Sequence, residues 1–581
     1  MKRILLLFLG TTILGCSEGI KEDISSHKLN LLADTYLQEF LDTHPEAAYS
    51  FGIEMDRHDG HPMNDVNEIR VWQEFEDSLY QEFDKIDPTA LTTKLDRITY
   101  WSLKEKLESQ IAFRVCKQFT WNVSHMTGWQ DLWLSIARKQ PVITEEQKAQ
   151  ALTRWQYFPV FIDNEIANLN QGLKEGYSMP KVIVNVVIDQ MQTILDYPID
   201  ESPFMALADR DTTATFREVW KSRVQNEVLP AVTKYNQYLK NSYLPAAREE
   251  VSITNIPDGE ACYQAYIRYW TSTNKTAKEI FELGNRVVAK NKEEVLELGQ
   301  QYYGTTGFTE TISYCNTDSS QYFQSGEELL TFHTEFLSKA KQESLNWFSQ
   351  LPSKTVSIKP YEAHEGGSAR YERSTTDKPA YFRLSLEKPN SIHKGLSEIT
   401  NIHEAYPGHH LQIGVANDLQ GLHPITKVLF IGSYSEGWAR YAEQLGEEMN
   451  LYTSNSALIL RRAWPSRGMV MDPGVHFHGW TQKDLTEFAV ESGRPEFYGE
   501  ILYHRIIIMP AQLTSYDVGG EEIKRLRKKA EKVLGTSFNV KEFHNKILEN
   551  GPMPMSSLTE LVESWILSTS ENIPTTDAKN P

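Results

Sequence analysis

Two segments of the 581-residue chain combine residue types that can hold a metal ion and activate water. Residues 403–412 read His-Glu-Ala-Tyr-Pro-Gly-His-His-Leu-Gln, and residues 436–443 read Glu-Gly-Trp-Ala-Arg-Tyr-Ala-Glu. A hydrolytic zinc site needs three protein ligands, an open position for water and a nearby carboxylate that takes a proton from that water. The two segments together contain all of these protein groups.

The first segment departs from the simple His-Glu-x-x-His motif, in which two imidazoles one helical turn apart share a metal ion. His403 and His409 are six residues apart, which corresponds to about 240° around a straight helix. Pro407 also lacks the N–H that would bond the carbonyl of His403, so we expect the helix to break there. The chain around Pro407-Gly408 must therefore bulge outwards if the two imidazoles are to converge.

We expect His403, His409 and Glu436 to bind one Zn²⁺ ion per chain, with Glu404 as the general base. If Tyr406-Pro407 is treated as an insertion, the first segment reads H-E-x-G-H-x-L, which is similar to the H-E-F-G-H-A-L of helical oligopeptidases. Glu436 follows His409 by 27 residues, on a predicted helix of its own, where gluzincin peptidases carry their third ligand.

His410 is an alternative to His409 as the second metal ligand. The alignment with G-H-x-L favours His409. In that case we expect His410 to orient a ligand or to pack on the helix.

The helix that carries Glu436 has a charged face and an apolar face. Arg440 and Glu443 share the face of Glu436 at i+4 and i+7, where we expect them to support the metal ligands. The apolar face is formed by Trp438, Tyr441, Ala442 and Leu445. A surface helix can show the same pattern, but the apolar residues Phe430, Ile431 and Tyr434 that precede it favour a buried helix.

The combined signature H-E-x-x-P-G-H-H-L-Q and E-G-W-A-x-Y-A-E resembles that of the bacterial lipoprotein family catalogued as domain of unknown function 885. Three further segments resemble motifs of that family: residues 472–480 (D-T-G-x-H-x-x-G-W), residues 505–516 (R-Y-x-x-x-P-G-Q-A-x-x-Y) and residues 543–551 (F-H-x-x-x-L-x-x-G). This chain departs from them at Pro473, Ile506 and Ala511, where the family has Thr, Tyr and Gly. The resemblance covers most of the mature chain.

The resemblance implies a membrane-tethered zinc metallopeptidase of the gluzincin type, which hydrolyses short peptides. It also implies that His476 and Tyr516 stabilise a tetrahedral oxyanion and that Arg505 binds a substrate carboxylate. A structural role in the core is the alternative for His476 and Tyr516, and a structural ion pair is the alternative for Arg505. The rival function is that of a non-catalytic surface lipoprotein that binds nutrients or peptides.

The N-terminus predicts a lipoprotein signal peptide over residues 1–15. Lys2 and Arg3 precede an apolar stretch, residues 4–14, that is too short to span a bilayer. This stretch ends in Ile-Leu-Gly-Cys16, which resembles a bacterial lipobox, so we expect lipidation of Cys16 and a tether over residues 16–25. The expected location is the bacterial cell envelope, on the periplasmic or cell-surface side of a membrane.

Composition excludes some partners and leaves the state of the cysteines open. Lys and Arg number 59 against 78 acidic residues, a net charge of -19, so we expect no nucleic-acid partner, because such binding depends on basic phosphate contacts. Cys116, Cys262 and Cys315 are widely spaced, without a C-x-x-C pair. They allow at most one disulfide, and we expect buried free thiols.

The predicted fold is a large, mostly α, zincin-like metallopeptidase fold with a small β-sheet next to the active-site helix. Helical periodicity runs over residues 26–567, with long helices predicted at 274–300 and 326–351 and strands at 355–359 and 381–386. This catalytic domain can also be divided into two halves, about 26–250 and 251–567, across a cleft. Residues 568–581 are predicted to be a polar tail.

Overall fold

A computed structural model describes residues 18–211, 214–361, 369–374 and 378–571. The predicted signal peptide, Cys16 and residues 572–581 lie outside the described residues. The chain is mostly helical with one small sheet, as the periodicity of its apolar residues predicts. Among the described helices, none has the length and apolar character needed to cross a membrane.

The described residues from Glu18 to Thr271 form helices and the loops between them, without a strand. The first of these helices begins inside the predicted tether. Two π-helical turns, Val224–Val228 and Leu239–Tyr243, join α9, α10 and α11 into one continuous helical rod. The helices are α1 (Glu18–Thr43), α2 (Ala47–Phe51), α3 (Val66–Phe83), α4 (Lys94–Phe113), α5 (Trp129–Lys139), α6 (Glu145–Gln156), α7 (Phe158–Glu175), α8 (Lys181–Asp196), α9 (Ala214–Arg223), α10 (Leu229–Tyr238), α11 (Leu244–Ala246) and α12 (Gly259–Thr271).

The second part contains the sheet and the two segments with potential ligands. The strands are β1 (Val356–Pro360), β2 (Arg370–Glu372) and β3 (Ala380–Leu384). The helices are α13 (Ala277–Tyr303), α14 (Phe308–Thr317), α15 (Gly326–Trp347), α16 (Lys394–Glu404), α17 (His409–Asp418), α18 (Gly432–Glu448), α19 (Asn455–Ala463), α20 (Gly468–Phe477), α21 (Gln482–Glu491), α22 (Phe497–Ile508), α23 (Thr514–Leu534), α24 (Val540–Leu548) and α25 (Met555–Glu571).

Both predicted long helices are present, with shifted ends. Both predicted strands are present as β1 and β3, and the structure adds a third strand, β2. Thr276 caps α13 through a reciprocal capping box with Glu279, which explains why this helix begins after the predicted position 274. Strands β1 and β3 pair in parallel, and β2 pairs with the other side of β3 in the antiparallel sense. Strand β2 was not predicted, because three residues are too few to show an alternating pattern.

Hydrophobic residues form three large buried clusters. The first joins residues between 116 and 280 to residues between 469 and 518. The second lies between residues 323 and 566, and the third combines residues 29–107 with Ile425 and Val428. Because the first cluster contains residues from both sides of position 250, the predicted division into halves does not separate two hydrophobic cores.

The pairing of the cysteines corrects the expectation of free thiols. Cys116 and Cys262 form a disulfide, and Cys315 is buried and free. The two bonded residues are separated by 146 positions. Helices α4 and α12 pack together and bring these cysteines within reach, a contact that sequence spacing does not reveal.

Candidate metal centre

The predicted bulge separates helices α16 and α17 and brings the side chain of His409 next to that of His403. Helix α16 ends at Glu404 and α17 begins at His409, so the intervening residues leave the helical path. The backbone of Gly408 passes so close to α16 that a Cβ atom there would lie 2.0 Å from the carbonyl oxygen of His403. Only glycine fits this close approach. The Trp438 indole N–H donates to the carbonyl oxygen of Pro407 at 2.9 Å and so fixes the bulge against α18.

Three side chains converge at this point: His403, His409 and Glu436. The Oε2 atom of Glu436 lies 3.5 Å from Nε2 of His403 and 3.4 Å from Nε2 of His409. One potential ligand atom from each residue lies within 4.8 Å of the others. Each of the three side chains retains between 11% and 17% exposure, so the site is accessible to a small molecule.

The donor set and its spacing fit a divalent metal ion such as zinc. Ligands about 2.0–2.1 Å from a tetrahedrally coordinated zinc ion lie about 3.4 Å from one another, close to the two measured separations from Glu436. The Oε2 atom of Glu436 is buried and has no hydrogen-bond partner. Because buried carboxylate oxygens are normally bonded, this unsatisfied atom indicates a position for a cation. Two histidines and one glutamate are a ligand set of catalytic zinc sites.

The charges of the ligands support one another. Burial alone would lower the pKa of His403, but interactions with Glu436 and Glu443 outweigh it and raise the pKa to about 10. Burial would raise the pKa of Glu436, yet the two histidines hold it well below the usual range of a carboxyl group. The carboxylates therefore favour positive charge at this position, and a bound cation would displace the proton from His403.

Glu443 and Arg440 orient the first histidine. The Oε1 atom of Glu443 accepts a hydrogen bond of 2.8 Å from Nδ1 of His403, which leaves Nε2 directed towards Glu436. Arg440 donates from Nη1 to both carboxylate oxygens of Glu443, at 2.8 and 2.9 Å. Asp517 lies 3.4 Å from Nε of Arg440. This buried chain of charges fixes the imidazole of His403 in one orientation.

Close packing of α18 on α23 places the next two residues of the site. A Cβ atom on Gly519 would lie 1.8 Å from the carbonyl oxygen of Ser433, and one on Gly437 would lie 2.6 Å from the backbone of Gly519. The two helices can approach this closely only because both positions are glycine. The approach brings Tyr516 and Asp517 of α23 beside the ligands on α18.

The small sheet holds Glu404. Its Oε2 atom accepts a hydrogen bond of 2.8 Å from the backbone N–H of Tyr371 in β2. This bond fixes the carboxyl group at the C-terminus of α16, one residue after the first histidine. The role of Glu404 as a general base stays a prediction.

Tyr516 and Arg505 also lie at the site. The ring of Tyr516 stacks near that of His403, with centroids 6.3 Å apart. Burial and the charge of Glu436 raise the pKa of Tyr516, so its hydroxyl group stays protonated. Arg505 donates from Nη2 to Gln512 at 2.7 Å and to the Tyr516 oxygen at 3.3 Å. The Tyr516 oxygen therefore accepts a hydrogen bond from Arg505.

His410 does not join the cluster of ligands. Its Nε2 and Nδ1 atoms lie 3.0 Å from the Tyr406 hydroxyl group and 3.3 Å from the Tyr371 hydroxyl group. Burial lowers the pKa of His410 to about 4, so the ring is neutral at physiological pH. The structure thus places His409, and not His410, beside His403 and Glu436.

The role predicted for His476 as an oxyanion donor is wrong in this structure. Its Nε2–H donates to the carbonyl oxygen of Ile506 at 3.0 Å, and its Nδ1 accepts from the N–H of Ile253 at 3.2 Å. The ring is 1% exposed, and burial lowers its pKa to about 4. With both nitrogens bonded to backbone groups, His476 has no proton to offer a substrate.

The neighbouring residues of this motif are structural as well. Asp472 accepts hydrogen bonds from the Tyr263 hydroxyl group at 2.7 Å and from the N–H of Ala511 at 2.8 Å. Ala511 has a φ of 65°, a conformation in which glycine is least strained. The departure of Ala511 from the family pattern therefore affects the backbone and places no new group at the metal centre.

Sequence reasoning missed three contributors: Tyr371, Asp517 and Gly519. The backbone N–H of Tyr371 belongs to a strand too short to predict, and a backbone group leaves no signal in residue type. Asp517 follows the predicted Tyr516 directly, so a search for carboxylates near the motif residues could have found it. Gly519-Gly520 in an otherwise polar helix was a detectable sign of a close helix contact.

Comparison with known proteins supports the fold and gives no activity. Residues 45–562 match the family described as "Bacterial protein of unknown function (DUF885)". Among solved structures, one described as a lipoprotein from Colwellia psychrerythraea shares 21% identity, with a TM-score of 0.85, over 94% of this chain and 99% of that chain. Another, described as a lipoprotein of unknown function from Shewanella oneidensis, shares 17% identity, with a TM-score of 0.76, over 92% and 99%. No curated protein matches the chain.

Proposed function

The chain belongs to the DUF885 family, and we propose that it is a zinc-dependent metallopeptidase of the gluzincin type that acts on short peptides. The observation that carries this proposal is the convergence of His403, His409 and Glu436 on one point, together with Glu404, which follows His403 in the chain and whose charge helps to raise the pKa of that histidine. The family description gives no activity, so the proposal rests on the chemistry of the site and on the zincin-like pattern of its motif.

When bound, zinc would lower the pKa of a coordinated water towards about 7 and polarise a substrate carbonyl group. Glu404, with Oε2 held by the N–H of Tyr371, would accept a proton from the attacking water on Oε1 and return it to the leaving amine. Tyr516 would donate its hydroxyl proton in a hydrogen bond to the carbonyl oxygen as negative charge develops there. Arg505, bonded to the same hydroxyl oxygen, would hold Tyr516 in position.

The most direct test of this function separates metal binding from hydrolysis. We expect Glu404→Gln to retain the metal content of the parent and to lower the rate of peptide hydrolysis by roughly 1000-fold. Glu387→Gln, at an exposed position after β3, is the matched control and should hydrolyse peptides at the parent rate. Hydrolysis by Glu404→Gln at that same rate would exclude Glu404 as the base.

We also infer a lipid-anchored location in the bacterial cell envelope. The lipobox at Cys16 supports this location, and the Cys116–Cys262 disulfide is typical of oxidising compartments. Cys16→Ser should prevent incorporation of labelled lipid and leave the protein either soluble or uncleaved. Labelled, membrane-bound protein in that variant would contradict the inference.

A further inference from the structure

A cavity of about 540 Å³ is lined in part by residues of α17 and α18, the two helices that carry His409 and Glu436. Three of its lining residues are chain neighbours of residues that build the centre: His410 follows His409, Ser435 precedes Glu436, and Arg373 lies two residues after Tyr371. The cavity therefore shares α17, α18 and the end of β2 with the metal centre. Its volume is that of a pocket for a small ligand or a few amino-acid residues.

The lining of the cavity is basic and apolar. Lys354, Arg373 and Lys427 are its basic residues, and Asp418 is the one carboxylate among the described residues of the lining. The Asp418 carboxylate already accepts a hydrogen bond of 2.6 Å from the N–H of Ser353. The apolar part of the lining is formed by Phe51, Leu419, Leu422, Leu429, Phe430, Ile431 and Tyr434.

One buried polar group in this lining has no partner. Gln412 is 2% exposed, and its Oε1 atom makes no hydrogen bond with any other described residue. A buried amide oxygen is normally bonded, so this atom indicates a ligand that brings an N–H group into the cavity.

We propose that this cavity binds the carboxyl-terminal residue of a peptide, so that the protein acts as a carboxypeptidase with a preference for apolar terminal residues. This inference rests on the proposed peptidase function and names its substrate class. The guanidinium group of Arg373 binds the terminal carboxylate, the Oε1 atom of Gln412 accepts the N–H of the terminal residue, and the apolar wall receives its side chain.

The spacing along β2 is compatible with this assignment. The backbone N–H of Tyr371 holds the general base Glu404, and Arg373 lies two residues further, about 7 Å along an extended chain. One peptide residue between the cleaved bond and the terminal carboxylate spans about 3.5 Å. The hydrogen bonds from the long Arg373 side chain bridge the remaining distance.

The test compares two peptides of identical sequence that end in leucine, one with a free carboxylate and one with a terminal amide. The zinc-loaded protein should cleave the free acid with a KM about 10- to 100-fold lower than that of the amide, as expected for a charged hydrogen bond. Arg373→Gln should raise the KM of the free acid at least 10-fold, leave kcat within about threefold, and leave the amide unaffected. The matched control is Arg370→Gln, at the start of β2, where Arg370 pairs with Glu372 and does not line this cavity.

A binding measurement on the metal-free protein makes the result independent of catalysis. Titration calorimetry should show that N-acetyl-leucine binds and that N-acetyl-leucinamide binds at least 10-fold more weakly, with the difference lost in Arg373→Gln. Equal cleavage of the two peptides, together with equal binding of the two ligands, would overturn the carboxypeptidase inference and leave the peptidase function intact. Selective binding of N-acetyl-leucine without any hydrolysis would support the cavity assignment and contradict the peptidase function.

Discussion

His409 and His476 occupy two regions that look equally catalytic in the sequence and differ in the structure. Both lie in motifs typical of the family, and both residues are buried. The ring of His409 faces the carboxylate of Glu436, and its Nδ1 atom has no hydrogen-bond partner. Both nitrogens of His476 are bonded to backbone groups. A buried histidine is therefore a candidate ligand when its partners are other ionisable side chains, and a structural residue when backbone groups satisfy it.

The largest expected effect is a difference in zinc binding between variants of the adjacent residues His409 and His410. His409→Ala should abolish stoichiometric zinc binding, because only two of the three ligands remain. His410→Ala should retain one zinc per chain, with an affinity within about 10-fold of the parent, since its ring bonds Tyr406 and Tyr371 and no ligand. Chelator competition at one pH measures both affinities, and circular dichroism verifies folding. Loss of zinc in His410→Ala but not in His409→Ala would reverse the assignment.

A smaller effect should follow when the orientation of His403 is disturbed. Glu443→Gln weakens the hydrogen bond to Nδ1 of His403 and removes the ion pair with Arg440. We expect zinc affinity to fall by about 10- to 100-fold while one ion still binds at saturation. Glu447→Gln, one helical turn further along α18 and paired with Arg461, is the control. Similar losses in both variants would show a general effect on the helix.

Substitution of His476 is expected to have the smallest effect on zinc binding. It should change only the free energy of unfolding. His476→Gln breaks buried hydrogen bonds with Ile506 and Ile253 and should lower the free energy of unfolding by about 2–4 kcal/mol. Zinc content and the rate of hydrolysis per folded molecule should not change. A 100-fold lower rate in a fully folded His476→Gln protein would restore a catalytic role for this residue.

The same variant tests the pH dependence of stability. Burial lowers the pKa of His476 to about 4 in the folded protein, whereas an exposed histidine has a pKa of about 6.5. As the pH falls, the unfolded chain therefore takes up a proton on His476 before the folded protein does. The contribution of the neutral, buried His476 to the free energy of unfolding is present above pH 6.5 and is lost between about pH 6.5 and 4. Chemical denaturation across that window should show a shallower pH dependence in His476→Gln, by about one proton. An unchanged slope would contradict a neutral, buried His476.

The metal centre was more predictable than the elements around it. The residue types of His403, Glu404, His409 and Glu436 are those that a hydrolytic metal site requires, and the proline-glycine pair predicted the break between α16 and α17. The N–H of Tyr371 was not predictable, because a backbone group carries no residue signature and β2 has only three residues. The Cys116–Cys262 bond depends on how α4 and α12 pack, which local patterns do not encode.

The false prediction at His476 has a physical cause that the sequence hides. A histidine in a family motif suggests chemistry, but its role depends on which groups meet its two nitrogens. Those groups are the backbone N–H of Ile253 and the backbone carbonyl oxygen of Ile506, which lie far from His476 in the chain. Because nearly every residue has the same backbone groups, the residue types at 253 and 506 do not reveal this bonding. Tyr516 had the same weight in the sequence, and its place beside His403 became visible only through the packing of α18 on α23.

The metal content of the purified mature protein tests the central claim most directly. Elemental mass spectrometry after gel filtration should find about one zinc ion per chain in the parent and less than a tenth of that in His403→Ala, His409→Ala and Glu436→Ala, each checked for folding. Glu404→Gln should hold the same amount of zinc as the parent. A parent protein that holds no zinc even after incubation with the ion, or ligand variants that keep the full amount, would contradict a metal centre at these residues.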